Sequence, residues 1–245
     1  MPAKVLHTYL QHNNHNISIM KLIEHFFNLL APRECVICGK EGKILCSWCL
    51  PDAFTPLPSR CYKCLKLTNS SITCEKCRTN SRLNHVWVVT GYENTAKKLV
   101  RHLKYGHYRD VAGIMAVCMD NIMPVLPKDV IVVPVPAVNN HIRVRGFDQS
   151  RLIAKELSKV RKLLYVDTLA RHGKIQQVGS GYARRHSQLE DAIRVRKLKT
   201  IKGAKILLVD DVITTGSTLE VCAKHLKEAG ALSVSAVCFA QTVKK

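Results

Sequence analysis

The chain has 245 residues, 47% of them hydrophobic, which is enough apolar material for one medium-sized domain with a core and a small additional module. No stretch approaches the roughly 18 consecutive apolar residues of a membrane-spanning helix, and no secretory pattern opens the chain, so we expect a cytoplasmic protein without a transmembrane segment. The 38 Lys and Arg residues against 18 Asp and Glu residues give a formal net charge of +20, which indicates a polyanionic partner, either nucleic acid or a polyphosphorylated small molecule.

The character of the sequence changes twice along the chain. Residues 1–19 are polar and rich in histidine, and we expect them to form a disordered extension. Residues 20–82 begin with a helical pattern and contain eight of the 11 cysteines, which indicates a small N-terminal module. Residues 83–245 alternate between apolar runs and amphipathic segments, the pattern of a main globular domain.

The eight cysteines of the module form four Cys-x-x-Cys pairs: Cys35 and Cys38, Cys46 and Cys49, Cys61 and Cys64, Cys74 and Cys77. Two pairs complete a tetrahedral four-thiolate site that leaves no position open for water, so we expect two structural Zn2+ ions. Disulfides are the competing interpretation, but they are rare in a reducing compartment. The short spacers favour sequential pairing of neighbouring pairs, while a cross-braced pairing, first with third and second with fourth, stays open.

The predicted elements of the main domain alternate between strands and helices. In chain order they are a strand at 85–92, helices at 95–105 and 111–122, a strand at 129–135, a helix at 150–161, strands at 163–169 and 205–210, a helix at 217–229 and a strand at 232–240. The glycines and charges of 170–187 indicate a mobile loop. This alternation predicts an α/β domain with a mainly parallel sheet flanked by helices.

One segment carries most of the chemical information. An apolar run ends in Asp210 and Asp211, and Thr214, Thr215, Gly216, Ser217 and Thr218 follow at the start of the next predicted helix. Backbone N–H groups at a helix start and four hydroxyls suit a phosphate, whereas the carboxylates suit a sugar diol or a divalent cation beside it. The P-loop pattern and the glycine fingerprint of dinucleotide-binding folds are both absent here.

This segment resembles the signature of type I phosphoribosyltransferases, which bind phosphoribosyl pyrophosphate (PRPP). The resemblance implies that Asp210 and Asp211 hold the ribose hydroxyls of PRPP, directly or through Mg2+, and act as the catalytic carboxylates. It also implies that residues 214–218 cradle the 5′-phosphate.

Three further segments resemble the ComF family: Leu103-Lys-Tyr-Gly106, Val133-Pro-Val-Pro136 and Arg143-Val-Arg145-Gly-Phe-Asp148-Gln149. The resemblance implies that Arg143 and Arg145 lie near the pyrophosphate, and Asp148 stands where the family usually has Asn. Residues 177–188 are similar to the family's mobile loop. With the cysteines in front, the likeness implies a type I phosphoribosyltransferase fold preceded by a double zinc ribbon.

ComF relatives are associated with natural transformation and imported single-stranded DNA. Residues 141–205 contain 17 Lys and Arg residues and 5 acidic residues, a net charge of +12 that fits single-stranded DNA. We therefore expect a PRPP-binding protein of DNA uptake, an enzyme of the pentosyltransferase type, with other DNA-uptake proteins as partners. The alternatives are a transferase for a small-molecule acceptor in nucleotide metabolism, a non-catalytic, PRPP-sensing DNA-binding protein, and a metal-stabilised module that docks partners through its zinc ribbons.

Overall fold

The computed structural model describes residues 33–106, 108–137, 142, 145–171 and 189–242. The chain forms two compact units, Met1–Ala53 and Phe54–Lys245. The predicted boundary between residues 82 and 83 stays a prediction, and the predicted extension at 1–19 lies outside the described residues. Across the described part of the chain, no helix is long and apolar enough to cross a membrane.

The second unit is built on a five-stranded parallel sheet with the strand order β1-β7-β6-β2-β3. The strands are β1 (Val86–Gly91), β2 (Val130–Pro134), β3 (Leu164–Tyr165), β4 (Leu169–Arg171), β5 (Ile193–Val195), β6 (Lys205–Ile213) and β7 (Ser233–Gln241). The helices are α1 (Glu75–Arg78), α2 (Asn94–Tyr105), α3 (Val111–Ile122), α4 (Gln149–Arg161), α5 (Leu198–Ile201) and α6 (Ser217–Glu228). The predicted α/β fold with a mainly parallel sheet is confirmed.

Burial explains why these segments form the core of the sheet. All five residues of β2 are buried, and β6 and β7 contain long runs without exposed side chains. A strand covered by helices on both faces needs apolar residues on both sides, which is why these strands read as continuous apolar runs. The amphipathic α2 buries Ala96, Leu99 and Leu103, whereas Lys97, Lys98 and Arg101 are exposed.

The strand predicted over 163–169 is wrong as a single element. The structure divides it into β3, which joins the main sheet, and β4, which pairs with β5 in a separate antiparallel ribbon. The chain leaves the main sheet after Val166, whose N–H donates to Val132, and Thr168 then bonds with Arg196. Short strands of two or three residues carry too little alternation to be separated from sequence.

Strand β6 extends three residues beyond its predicted end at residue 210. Val212 pairs with Ala240 and Ile213 pairs with Gln241, so the ladder to β7 continues past the two aspartates. Asp210 and Asp211 therefore lie within a strand, where successive side chains leave opposite faces of the sheet. This arrangement gives the two carboxylates different neighbours.

Candidate functional site

The candidate site lies at the carboxyl end of β6, the edge of a parallel sheet where ligands bind in open α/β folds. Asp210 accepts a hydrogen bond from the Ser150 hydroxyl at 2.8 Å and from the backbone N–H of Asp211 at 2.9 Å. Burial and the negative charge of Asp211 raise the pKa of Asp210 to about 7. The site thus contains a carboxyl group that changes its charge near neutral pH.

Asp211 has a different partner. The residue is 8% exposed, and its Oδ2 atom lies 2.6 Å from the ammonium Nζ of Lys104 on α2. Its other oxygen accepts the N–H of Val212 at 2.8 Å. An ion pair this close to the sheet is weakly screened, so Lys104 compensates one of the two negative charges that the site brings together.

The predicted phosphate-binding loop connects β6 to α6. Gly216 occupies the N-cap position of α6 in the left-handed region, with φ at 79°, a conformation that glycine adopts without strain. The Thr215 hydroxyl lies 2.9 Å from the Ser217 hydroxyl, and Thr214 and Thr215 are exposed. Helix α6 directs its first N–H groups and the positive end of its dipole toward this loop, which is the arrangement that binds anions. The loop follows the two aspartates directly in the chain, as the sequence indicates.

The predicted pyrophosphate-binding residues are only partly described. Arg143 and the loop at 177–188 lie outside the described residues. Arg145 donates to Gln149 at 3.1 Å, and its guanidinium carbon lies 5.1 Å from the centre of the Tyr105 ring. Its role toward pyrophosphate stays a prediction.

Asp148 has an observable structural role, although it replaces the usual Asn of the family. Its Oδ1 atom accepts the N–H of Arg151 and caps α4, and its Oδ2 atom accepts the N–H of Ala137 at 3.1 Å. An Asn side chain has one oxygen and one NH2 group, so it could not offer a separate oxygen to each of these N–H groups. Asp148 offers two oxygens, and the replacement is therefore compatible with this turn.

The eight predicted zinc ligands gather into two sequential clusters. The first contains Cys35, Cys38, Cys46 and Cys49, and the second contains Cys61, Cys64, Cys74 and Cys77; within each cluster the sulfur atoms lie within 4.8 Å of one another. Two sulfurs on one tetrahedral Zn2+ are separated by about 3.8 Å. The Cys38–Cys46 distance is 3.8 Å and the Cys64–Cys74 distance is 3.5 Å, so the donor sets fit zinc.

The electrostatics of the clusters also suit a cation. Burial opposes ionisation of Cys35, but backbone N–H groups directed at its sulfur lower its pKa to about 6, and the same balance lowers that of Cys61 to about 7. The pKa of Cys49 is raised to about 12 by the side-chain hydrogen bond with Cys46, by burial and by the other sulfurs of the cluster. Four thiolates therefore need a divalent cation to coexist. None of the 11 cysteines, all of which lie in the described residues, forms a disulfide.

Sequence reasoning missed three residues of this region. The sequence marks Lys104 only as part of a family-like segment, and it gives no signal for Ser150 or Tyr62. Tyr62 lies against the phosphate-binding loop, because a Cβ atom added to Gly216 would meet its Cε2 atom at 2.7 Å. A basic residue in an otherwise amphipathic helix gives no signal of a carboxylate partner far along the chain.

Comparison with known proteins finds a matching domain and several relatives. Residues 143–245 match the phosphoribosyl transferase domain. The DNA utilization protein YhgH of Escherichia coli O157:H7 is 28% identical over 236 residues, covering 88% of this chain and 100% of the relative. Competence protein F of Haemophilus influenzae is 30% identical over 102 residues, which cover 40% of this chain and 44% of that protein.

These matches are consistent with a ComF-family protein. They agree with the resemblance found in the motifs, and the matched domain contains both aspartates and residues 214–218. A solved purine phosphoribosyltransferase from Pyrococcus horikoshii Ot3 is 17% identical, with 64% of this chain and 78% of that chain covered, at a TM-score of 0.33.

Proposed function

We propose that this ComF-family protein binds PRPP together with Mg2+ at the carboxyl end of β6. The observation that carries the proposal is the arrangement of Asp210, Asp211 and the hydroxyl-rich loop in front of α6. Two carboxylates at a strand end destabilise an apo protein, and a run of Thr and Ser at a helix start has no packing role. A sugar diol would give the two carboxylates hydrogen-bond partners, and a phosphate would do the same for the Thr and Ser hydroxyls.

Each part of PRPP has a counterpart in this arrangement. The 5′-phosphate would accept hydrogen bonds from N–H groups in the first turn of α6. It would also accept hydrogen bonds from the hydroxyls of Thr214, Thr215, Ser217 and Thr218. The ribose hydroxyls would bond to Asp210 and Asp211. Mg2+ held at the same carboxylates would neutralise charge on the pyrophosphate, the chemistry that such ions supply in phosphate sites.

Lys104 belongs to this proposed site. Its ammonium ion stabilises Asp211 in the ligand-free protein, and it is a flexible side chain that reaches the centre of the site from α2. When a cation and an anionic ligand enter together, the same ammonium group can move to the pyrophosphate at little cost. By the family resemblance, Arg143 and Arg145 would add positive charge near the leaving group.

The reaction that follows would be a transfer of the phosphoribosyl group. The C1–O bond to pyrophosphate breaks, the electron pair leaves with pyrophosphate, and a nucleophilic acceptor forms the new bond at C1. We propose transferase activity for this chain, with an acceptor still to be identified. A small molecule of nucleotide metabolism and a nucleic-acid acceptor are both compatible with the phosphate chemistry of the site.

A role in DNA uptake is supported by the relatives and by the charge. Two relatives carry names that refer to DNA utilization and competence, and residues 141–205 have a net charge of +12. Tyr105 is 64% exposed beside Arg145, an arrangement suited to base stacking, whereas Phe147 is buried and cannot stack. We infer that single-stranded DNA is a partner, and that the protein works in the cytoplasm, where its thiols stay reduced for zinc.

Calorimetric titration of Mg2+ and PRPP tests the binding proposal. We expect the wild-type protein to bind, and the Asp210→Asn/Asp211→Asn variant to lose binding by at least about a hundredfold, because both ribose contacts are weakened. Asp191→Asn, an exposed aspartate on the same domain, is the matched control and should bind like the wild type. Absence of binding to the wild type would reject the proposed function.

A further inference from the structure

The second cysteine cluster lies directly beside the phosphate-binding loop, and one side chain makes the connection. Tyr62 stands between the predicted ligands Cys61 and Cys64, and the residue is 5% exposed. The ring lies against Gly216, so closely that a Cβ atom there would sit 2.7 Å from Cε2 and 3.1 Å from Cδ2. Only glycine permits this approach, and Gly216 is also the residue that takes the left-handed conformation at the N-cap.

The hydroxyl of Tyr62 reaches the first turn of the helix that follows the loop. It donates to Oε1 of Glu220, and it lies 3.1 Å from the Ser81 hydroxyl. The residue next to it, Lys63, forms an ion pair with the same Glu220 oxygen at 3.1 Å. The backbone N–H of Arg82 donates to the other oxygen at 3.0 Å. Three groups from the cysteine-rich segment therefore converge on one carboxylate.

The position of Glu220 gives this convergence a consequence for a phosphate. An acidic residue in the first turn of a helix is favourable for the helix itself, but it repels a second anion bound at the same N-terminus. The bonds from Tyr62, Lys63 and Arg82 compensate its charge and hold it against the cysteine-rich segment. The N–H groups of α6 then remain available to an external anion.

The main chain of the Tyr62 turn is also attached to the sheet. The buried Gln241 at the end of β7 donates to the carbonyl of Tyr62 at 3.3 Å and accepts from Arg60 at 3.0 Å. Within the turn, the backbone N–H of Leu65 donates a hydrogen bond to the carbonyl of Cys61 at 2.8 Å. The turn that would bind zinc is thus fixed on one side by its cysteines and on the other by β7.

We propose that Tyr62 is a positioning residue for the phosphate-binding loop, and that the second cysteine cluster thereby sets the affinity of this loop for a 5′-phosphate. The ring restricts Gly216 to its left-handed conformation, and the hydroxyl fixes Glu220 away from the anion. As far as ligand affinity is concerned, this inference rests on the proposed function. The positioning of the loop itself can be tested without any ligand.

Amide hydrogen exchange of the ligand-free protein is the first test. In Tyr62→Ala we expect the amides of residues 220–223, the first N–H groups bonded within α6, to exchange about tenfold faster or more, while the amides of β7 keep their protection. Lys76→Ala, an exposed change between the other two cysteines of the cluster, is the matched control and should leave exchange unchanged. Unchanged exchange in Tyr62→Ala would overturn the proposal, as would an equal increase throughout the second unit.

Ligand binding is the second test, and it separates positioning from a general loss of structure. Tyr62→Ala should weaken binding of ribose 5-phosphate and PRPP about tenfold, and that of Mg2+ pyrophosphate, which lacks a 5′-phosphate, less than about twofold. Tyr62→Phe keeps the ring and should recover most of this loss. Equal losses for all three ligands, or none, would contradict the proposal. If the wild type binds no ligand, the proposed function fails, and hydrogen exchange still decides the role of Tyr62.

Discussion

Each of the two cysteine clusters consists of two Cys-x-x-Cys pairs, but their surroundings differ. Each carries an aromatic residue between two of its cysteines, Trp48 in the first and Tyr62 in the second. Trp48 is 85% exposed, whereas Tyr62 is 5% exposed. The first cluster belongs to the unit Met1–Ala53, and the second belongs to the unit that contains the sheet.

This difference shows what a cysteine pattern determines and what it leaves open. The spacing of the thiols determines the turn and the donor set for the ion. The contacts of the side chain inside the turn depend on what is packed against it, and in the second cluster that is the loop after β6. Tyr62 of the second cluster thus contacts the loop after β6, whereas Trp48 of the first cluster is exposed.

The largest effect is expected from a methyl group at Gly216. Gly216→Ala should destabilise the protein by about 2–4 kcal/mol, because the left-handed conformation disfavours alanine and the new Cβ atom overlaps the Tyr62 ring. Gly39, beside the first cluster, has a similar φ of 72° and no atom within 4 Å of an added Cβ, so Gly39→Ala should cost only about 1 kcal/mol. Urea unfolding of both variants measures the difference.

A double-mutant cycle then tests whether the Tyr62 ring causes the larger loss of stability in Gly216→Ala than in Gly39→Ala. In the Tyr62→Ala background, Gly216→Ala should cost about 1 kcal/mol, because only the backbone strain remains. If both glycine variants lose the same stability in the wild-type background, the two clusters do not differ in the way we describe.

An intermediate effect is expected at Asp210, because its pKa of about 7 in the folded protein exceeds the ordinary value of 3.8. Between these values the folded state keeps a proton that the unfolded state has lost, so wild-type stability falls as the pH rises through this window. Asp210→Asn removes this cost and should stabilise the ligand-free protein by about 2 kcal/mol at pH 8, and by less at pH 5.5.

Urea unfolding at the two pH values checks this prediction, with Asp191→Asn as the control that shows no such gain. A loss of stability in Asp210→Asn at pH 8 would contradict the charge assignment. The variant is expected to gain stability and lose PRPP binding together, which is the usual behaviour of a residue kept for ligand chemistry.

The smallest effect is expected at Trp48. Because its side chain is exposed, Trp48→Ala should change the free energy of unfolding by no more than about 0.5 kcal/mol. A loss above 1 kcal/mol in urea unfolding would show that Trp48 has a packing role and would remove the contrast with Tyr62.

Much of the fold could be predicted from the sequence because its signals are local. The strands β2, β6 and β7 are apolar runs covered on both faces, and the aspartates and Thr/Ser loop stand next to one another in the chain. The sequential pairing of the cysteines was favoured by their short spacers. In each case neighbouring residues carry the information.

The remaining features depend on contacts between distant residues. Tyr62 and Glu220 are 158 positions apart, and no property of either residue indicates the other. Lys104 reads as one basic residue among several on α2 until the structure places it at Asp211. The ribbon of β4 and β5 was missed for a different reason, since strands of three residues show no clear period.

The 31P NMR spectrum of PRPP, recorded with Mg2+ during titration of the protein, tests the central claim most directly because it reports the 5′-phosphate separately from the pyrophosphate. We predict that the 5′-phosphate resonance shifts or broadens with the wild-type protein, and that this perturbation is lost in Asp210→Asn/Asp211→Asn and reduced in Tyr62→Ala. A 5′-phosphate resonance that does not respond to the wild-type protein would contradict the assignment of residues 214–218 as its binding loop.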